Sequence, residues 1–269
     1  MTHETTNRTA KALIGYTGFV GSTLLKQASF EDLYRSTNIQ DIDNKTFDTV
    51  VCAGAPAQKW LANKDPEDDL QKIEKLIGHL KTIQCKTFVL ISTVDVFKSP
   101  LNIDEETPAQ ENGLHPYGLH RRHLENFVTS HFENALIVRL PGLVGPGLRK
   151  NIIFDLLNNN NLDVVDSRGV FQFYPMVNLW ADIQVALQEN LKCVHLTAEP
   201  IAVRDIASEG FGTEFNNEKA TPPAQYNMKT RHANLFGKSG DYQYSKAETC
   251  LAIRAYAQSE PKTKKESAA

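Results

Sequence analysis

The sequence predicts an α/β fold, a doubly wound parallel sheet with helices packed on its faces. Three observations carry that prediction. Short apolar runs alternate with longer amphipathic stretches along most of the chain. Glycines 15, 18 and 21 stand at the first strand-to-helix junction. The 269 residues, 41% of them hydrophobic, can bury one large core.

The elements follow in order. "KALIGY" (11–16) reads as the first strand and "FVGSTLLKQA" (19–28) as the helix after it. "DLYRS" (32–36) is a weak second strand, and "DTVVCAGA" (48–55) a strong buried one. Asp65-Pro66-Glu67 caps a helix over 65–82, with proline at its first position. "TFVLIST" (87–93) is a strand, 116–133 a helix and "ALIVRL" (135–140) another strand. The stretch 178–190 is helical and leads into a strand over 193–198. Ser245 with Glu248 forms a capping box for a last helix running to about Ala257.

Residues 199–244 are less regular and richer in Pro, Gly and Asn. The expected organisation is therefore a core over 11–198, to whose substrate pocket 146–170 contributes. A small substrate-binding region over 199–257 follows, with polar tails at 1–10 and 258–269.

The bulk properties exclude several functions. A net charge of −3 with scattered basic residues gives no footprint for nucleic acid. No apolar run approaches the ~20 residues that span a bilayer, and "MTHETTNRTAK" lacks the apolar centre of a secretory signal. Cys52, Cys85, Cys193 and Cys250 show no metal or disulfide spacing, so a reducing cytoplasm fits best. His115, His120, His123 and His131 share no ligand face and are expected at the surface, with no metal site. Trp60 and Trp180 read as core or rim aromatics.

The glycine turn carries the first chemistry. Gly15 permits a tight turn, Gly18 lets backbone approach a pyrophosphate, and Gly21 lets helix pack closely on strand. The helix N-terminus then offers N–H groups and a positive dipole end to phosphate. This is a Rossmann-type arrangement.

The spacing is GxxGxxG, and "GYTGFVGSTLL" resembles the opening of the extended short-chain dehydrogenases, the NAD(P)-dependent sugar epimerase/dehydratase family. The similarity runs to about residue 200. It implies a nicotinamide dinucleotide held by Gly15, Thr17, Gly18, Phe19, Val20 and Gly21. "QDID" resembles the segment that holds adenine, which assigns Asp41 and Ile42. "VVCAGA" resembles the strand end beside the adenosine ribose and pyrophosphate, assigning Ala53, Gly54 and Ala55. "RLPGLVGPG" (139–147) resembles the passage leading from the nicotinamide into the substrate pocket, assigning Pro141 to cofactor and Gly142 to substrate.

Where an NAD enzyme of this fold carries an acid, the second strand here ends in Arg35-Ser36. A guanidinium can fork onto a 2′-phosphate, so NADP is expected, with NAD as second choice. Glu31 and Asp32 nearby keep the alignment open.

By the same resemblance "FVLISTVDVFK" carries the Ser/Thr of the site, assigning Thr93 with Ser92 as fallback. In "YGLHRR" Tyr117 is the proton-transferring phenol, and Arg121 stands where the family has lysine. One positive charge at ~4 Å in an effective dielectric of ~20 supplies about 4 kcal/mol. That much would bring a phenol from ~10 towards 7, so Tyr117 is expected to titrate low.

The family's dehydratases carry an acid pair after the Thr; here Val94 takes the first position and Asp95 remains, at the pocket edge. Asn151, in "RKNIIFDLL", resembles the residue that touches a nucleotide-sugar diphosphate, and it also reads as a helix N-cap.

The expected function is an oxidoreductase or epimerase working on a carbonyl or hydroxyl of a sugar-like substrate, with or without a linked nucleotide. The partner is that small molecule, with no nucleic acid and no membrane; a homodimer is admitted. The alternative is a non-catalytic NADP sensor with a degenerate site.

Overall fold

The computed structural model describes residues 10–262. Most of both expected tails lies outside the described residues. In chain order come β1 (Lys11–Ile14), α1 (Phe19–Gln27), β2 (Asp32–Tyr34), β3 (Thr46–Cys52), α2 (Lys59–Lys64) and α3 (Pro66–Leu80). Then follow β4 (Gln84–Thr93), β5 (Leu101–Ile103), α4 (Pro116–His131), β6 (Ala135–Leu140), β7 (Gly142–Val144) and α5 (Ile152–Asn158). The last part holds β8 (Val170–Phe171), β9 (Phe173–Pro175), α6 (Leu179–Gln188), β10 (Cys193–His195), β11 (Ile201–Ala202), α7 (Val203–Asp205), β12 (Asn227–Met228) and α8 (Lys246–Ser259).

Six strands form a parallel sheet in the order β10-β6-β4-β3-β1-β2. The order turns back at β1, where β2 lies on one side and β3 on the other. A crevice opens outside the carboxyl ends of the strands at such a reversal, and ligands of doubly wound sheets sit there. The glycine turn follows β1 at this point. Helices α3 and α4 cover one face. Ile73, Leu76, Ile77 and Leu80 recur along α3 at helical spacing and meet Phe88 and Leu90 of β4 and Leu124 and Val128 of α4 in one buried cluster.

The chain divides into two compact units interleaved along the sequence. One is built from residues up to Lys98 with Pro108–Arg139 and Leu179–Val194. It carries the sheet. The other gathers Ser99–Thr107, Leu140–Asn178 and the chain from His195. Its framework is small: β5 pairs with β12, β7 with β9 and β8 with β11. Gln172, wholly buried there, donates to the carbonyls of Ala198 and Met228 and accepts from the Met228 N–H, which satisfies backbone the short strands leave unpaired. The capping box at Ser245 is present and opens α8.

Candidate active site

The glycine turn is built by close approach. Gly15 has φ of +85°, and the Gly15 N–H donates to the Tyr34 carbonyl at 2.8 Å, tying the turn to the end of β2. A Cβ on Gly15 would overlap the carbonyl of Ala53, and one on Gly21 would overlap the carbonyl of Gly15. Gly18 differs: a Cβ there meets only the Gly15 carbonyl oxygen, at an ordinary 3.4 Å. Packing within the protein explains Gly15 and Gly21 and leaves Gly18 facing open space, the cradle that a pyrophosphate needs. Gly18 is also the N-cap of α1 and brings no side-chain cap, so the first-turn N–H groups of Phe19 and Val20 have no intrahelical acceptor. Thr17 is exposed beside them.

At the end of β2, Arg35 and Ser36 are exposed and directly follow the Tyr34 carbonyl that the glycine turn uses. Glu31 accepts from the Lys11 N–H, and Asp32 lies inside the strand, so neither acid stands at the strand's end. Asp41 is exposed on the following turn, whereas the Ile42 side chain is enclosed in the core; what Ile42 can offer a ligand is its backbone. Ala53 and Gly54 press against Gly15 and the Ile14 side chain, with Ala55 partly buried behind them.

Thr93 ends β4 and Tyr117 opens α4, and the Thr93 hydroxyl lies near enough to the phenol to act on its titration. Two local features bring them together. The Thr93 Oγ1 accepts from the Asp95 N–H at 3.2 Å, starting a tight turn. Gly118 then lets α4 ride onto that turn, since a Cβ there would overlap the Asp95 carbonyl oxygen. The Asn63 side chain, from α2, accepts from the Tyr117 N–H at 3.0 Å, and the His115 Nδ1 accepts from the Gly118 N–H at 3.0 Å.

Ser92 is not interchangeable with Thr93. Its hydroxyl donates at 2.6 Å to Glu125, a wholly buried carboxylate that also holds Arg139 through two bonds and Arg122 at 2.9 Å. Burial alone would raise the Glu125 pKa, but Arg139, Ser92 and Arg122 hold it below the usual carboxylate range.

Arg121 departs most from expectation. Its two terminal nitrogens grip both oxygens of Asp69 on α3, one also reaching the Pro56 carbonyl. The guanidinium lies 4.0 Å from the centre of the Tyr117 ring. Arginine and carboxylate are both under 6% exposed. His120 joins them, its Nδ1 2.7 Å from Asp69; it is buried rather than at the surface, because α3 packs over that side of α4. Burial works to raise the Asp69 pKa, yet bonds from Arg121 and His120 hold it low.

The field expected at the phenol is therefore largely compensated. Burial pushes the Tyr117 pKa up, outweighing the downward pull of Arg121 and Lys59 and the Thr93 hydrogen bond, while Asp95 adds to the rise. The low titration expected from the sequence is corrected: burial of the phenol outweighs the pull of Arg121, whose charge is itself paired with Asp69.

Asp95 accepts from Lys59 Nζ at 2.7 Å and lies 3.9 Å from His115 Nε2. Burial and Lys59 keep the His115 pKa low. Trp60, next to Lys59, is 66% exposed and belongs to no core. His123 pairs with Glu74, and His131 stacks on Phe127.

In the other unit, Gly142 lies in β7 opposite Phe173, where a Cβ would crowd the Gln172 carbonyl and the Phe173 ring; Pro141 precedes it, partly buried. Asn151, at φ of +100°, caps α5: its Oδ1 accepts from Ile153 at 2.9 Å and its Nδ2 donates to the Leu143 carbonyl at 2.9 Å.

Sequence reasoning missed Asp69, Asn63, Lys59, Gly118 and Glu125. Only Gly118 left a visible signal, a glycine in a helix's first turn. Two features of the first unit fit a dinucleotide: the open cradle at Gly18, and Arg121 Nε, buried with no hydrogen-bond partner.

The family model described as the NAD dependent epimerase/dehydratase family matches residues 30–167. Among curated protein sequences nothing matches. Among solved structures, RMD from Pseudomonas aeruginosa complexed with NADPH is similar at a TM-score of 0.70 and 17% identity, over 93% of this chain and 97% of that one. A dTDP-4-dehydrorhamnose reductase ortholog from Clostridium acetobutylicum gives 0.66 and 18%, over 92% and 98%. The UDP-N-acetylglucosamine 4-epimerase of Methanobrevibacter ruminantium, in complex with UDP-N-acetylmuramic acid, gives 0.72 and 13%, over 93% and 97%. At such identities the structural likeness establishes the fold. The family match spans just over half of the chain, including Thr93, Tyr117 and Arg121, and so the chain belongs to the NAD-dependent epimerase/dehydratase family.

Proposed function

We propose that the protein is an NADP(H)-dependent reductase or epimerase acting on a carbonyl or hydroxyl of a sugar-like, nucleotide-linked substrate. The observation that carries this reading is the pairing of Thr93 and Tyr117 where α4 rides onto the turn that ends β4. It is linked to the glycine turn through Arg121, Pro56 and the Ala53-Gly54 strand end that presses on Gly15. A module that only bound dinucleotide would need the turn and not the pair.

Gly15, Thr17, Gly18, Phe19, Val20 and Gly21 would hold the pyrophosphate, Asp41 and Ile42 the adenine, and Ala53, Gly54, Ala55 and Pro141 the rest of the cofactor. When bound, the nicotinamide supplies or accepts hydride. The protein's own part is proton transfer and positioning. Thr93 accepts from Asp95 N–H and keeps its O–H to donate to a substrate oxygen. Tyr117 moves the proton at that oxygen. Asp95, with Gly142 and Asn151, is assigned to the substrate.

Preference for the 2′-phosphate rests on Arg35 at the end of β2. Titrating NADPH and NADH into wild type and Arg35→Ala tests it. Loss of a charge-assisted contact should weaken NADPH by about 1.5–3 kcal/mol and leave NADH nearly unchanged. Equal wild-type affinities would remove the NADP assignment. A panel of nucleotide keto-sugars, followed by NADPH oxidation, tests turnover.

The compensated charge of Arg121 favours a second reading, a non-catalytic NADP sensor. Tight NADPH binding with no turnover across the panel would select it.

A further inference from the structure

We propose that Asp69 is a positioning residue of this site: by clamping Arg121 over the Tyr117 ring it fixes the phenol as a proton donor rather than a base, so that the site reduces a carbonyl. This rests on the reading of Tyr117 as the proton-transferring group. The clamp is geometric. Asp69 takes both terminal nitrogens of Arg121, and the guanidinium carbon ends up over the ring, 4.0 Å from its centre. Both partners are buried, so the pair is little screened by water. A lysine could not be held this way, because it has neither the fork nor the flat face.

The groups facing Tyr117 come from four places. Arg121 lies beneath it on α4, and Lys59 on α2 is paired with Asp95 after β4. His115, at the cap of α4, has its ring centre 6.2 Å from that of Tyr117, and the Thr93 hydroxyl lies near the phenol. Arg121 and Lys59 thus each bring an acid partner, Asp69 and Asp95, which offsets part of their pull towards a phenolate. Burial then carries the Tyr117 pKa upward.

A neutral phenol suits one half of the chemistry. In carbonyl reduction the C=O π bond breaks, carbon gains a hydride with its two electrons from a reduced nicotinamide, and oxygen takes the proton from Tyr117 Oη. The phenolate left behind recovers its proton from water. Alcohol oxidation needs the phenolate first, and an epimerase that oxidises and then reduces needs both. The arrangement therefore points to a reductase of keto-sugars.

The test reads the phenol directly. Ultraviolet difference titration of the ligand-free protein, with Tyr117→Phe as blank, requires no substrate. Wild-type Tyr117 should titrate above the ordinary ~10. Asp69→Asn frees Arg121 from its counter-charge and should move the phenol down by about one pH unit or more. Asp69→Asn with Arg121→Met removes both charges, leaves none buried alone, and should titrate no lower than wild type. Its reduction kcat should still fall at least about tenfold, because the ring has lost its support. With wild type, reduction should be flat over about pH 6–9 while oxidation rises throughout. A wild-type phenol below ~10, no shift in Asp69→Asn, or a double variant titrating lower than wild type overturns the proposal. Should Asp69→Asn not fold, the wild type and the double variant still decide it. Failure to bind any nicotinamide cofactor would remove the functional reading but leave the titration result standing.

Discussion

Two glycines of the turn are required by the fold and the third is not, which allows the cofactor reading to be tested residue by residue. Gly15→Val and Gly21→Val would drive a side chain into backbone, so both should lower the melting temperature sharply or prevent folding. Gly18→Val has only an ordinary contact at 3.4 Å to accommodate. It should melt within a few degrees of wild type and lose NADPH binding by more than about tenfold. Differential scanning fluorimetry with and without NADPH separates the two outcomes; a Gly18→Val protein that binds like wild type would mean a purely structural turn. The glycines, Thr93, Tyr117 and Arg121 were legible because local spacing and resemblance mark them. Asp69 was not. In "PEDDL" it reads as one more acid in a helix's first turn, and its partner is 52 residues away. Ion pairs across that separation leave no periodic trace in the chain.

At the scale of elements, the approach of α4 to the turn after β4 governs the site. Alanine at an exposed helical glycine normally stabilises by about 0.5–1 kcal/mol. Gly118 reverses that sign, because the added methyl would overlap the Asp95 carbonyl oxygen and crowd His115. Overpacking of this kind typically costs about 1–3 kcal/mol. Gly118→Ala should therefore melt lower than wild type, and kcat should fall more than KM rises as Tyr117 is carried away from Thr93. An unchanged kcat would show that the Thr93–Tyr117 distance does not limit the reaction.

The long elements were readable. Helix α3 opens as predicted at Asp65, whose side chain accepts from Asp68 N–H, and its apolar positions recur at helical spacing. The three-residue strands β5 and β7 and the six-residue α2 were not, since such lengths hold fewer than two periods of any pattern. Yet α2 supplies Asn63 and Lys59 to the site.

For the molecule as a whole, buried carboxylates set the response to acid. Asp69 and Glu125 both have folded pKa values below their ordinary ones. Groups of that kind contribute stability that is present above the unfolded value and is lost as pH falls through the folded one. Stability should accordingly hold from neutrality to about pH 5 and decline below about pH 4. Glu125→Gln should melt well below wild type at pH 7, because Arg139 and Arg122 lose their counter-charge. The gap should narrow as pH falls below about 4, where wild type also loses the carboxylate. A gap that stays constant to pH 3 would show that Glu125 acts by shape alone. The doubly wound sheet was legible in the alternation of apolar runs. The interleaving of the two units was not, because Ser99–Thr107 and Leu140–Asn178, which join the second unit, carry no composition of their own.

Trp60 stands in water beside Lys59, whereas Trp180 on α6, the chain's other tryptophan, leans edge-on against Phe30. Their emission should differ in colour, red-shifted from the solvated indole and blue-shifted from the packed one. Reduced nicotinamide absorbs where indoles emit. The protein thus carries its own optical gauge at the helix that reaches Asp95, and a Trp180→Phe background would let fluorescence quenching report arrivals at that side of the fold without any label.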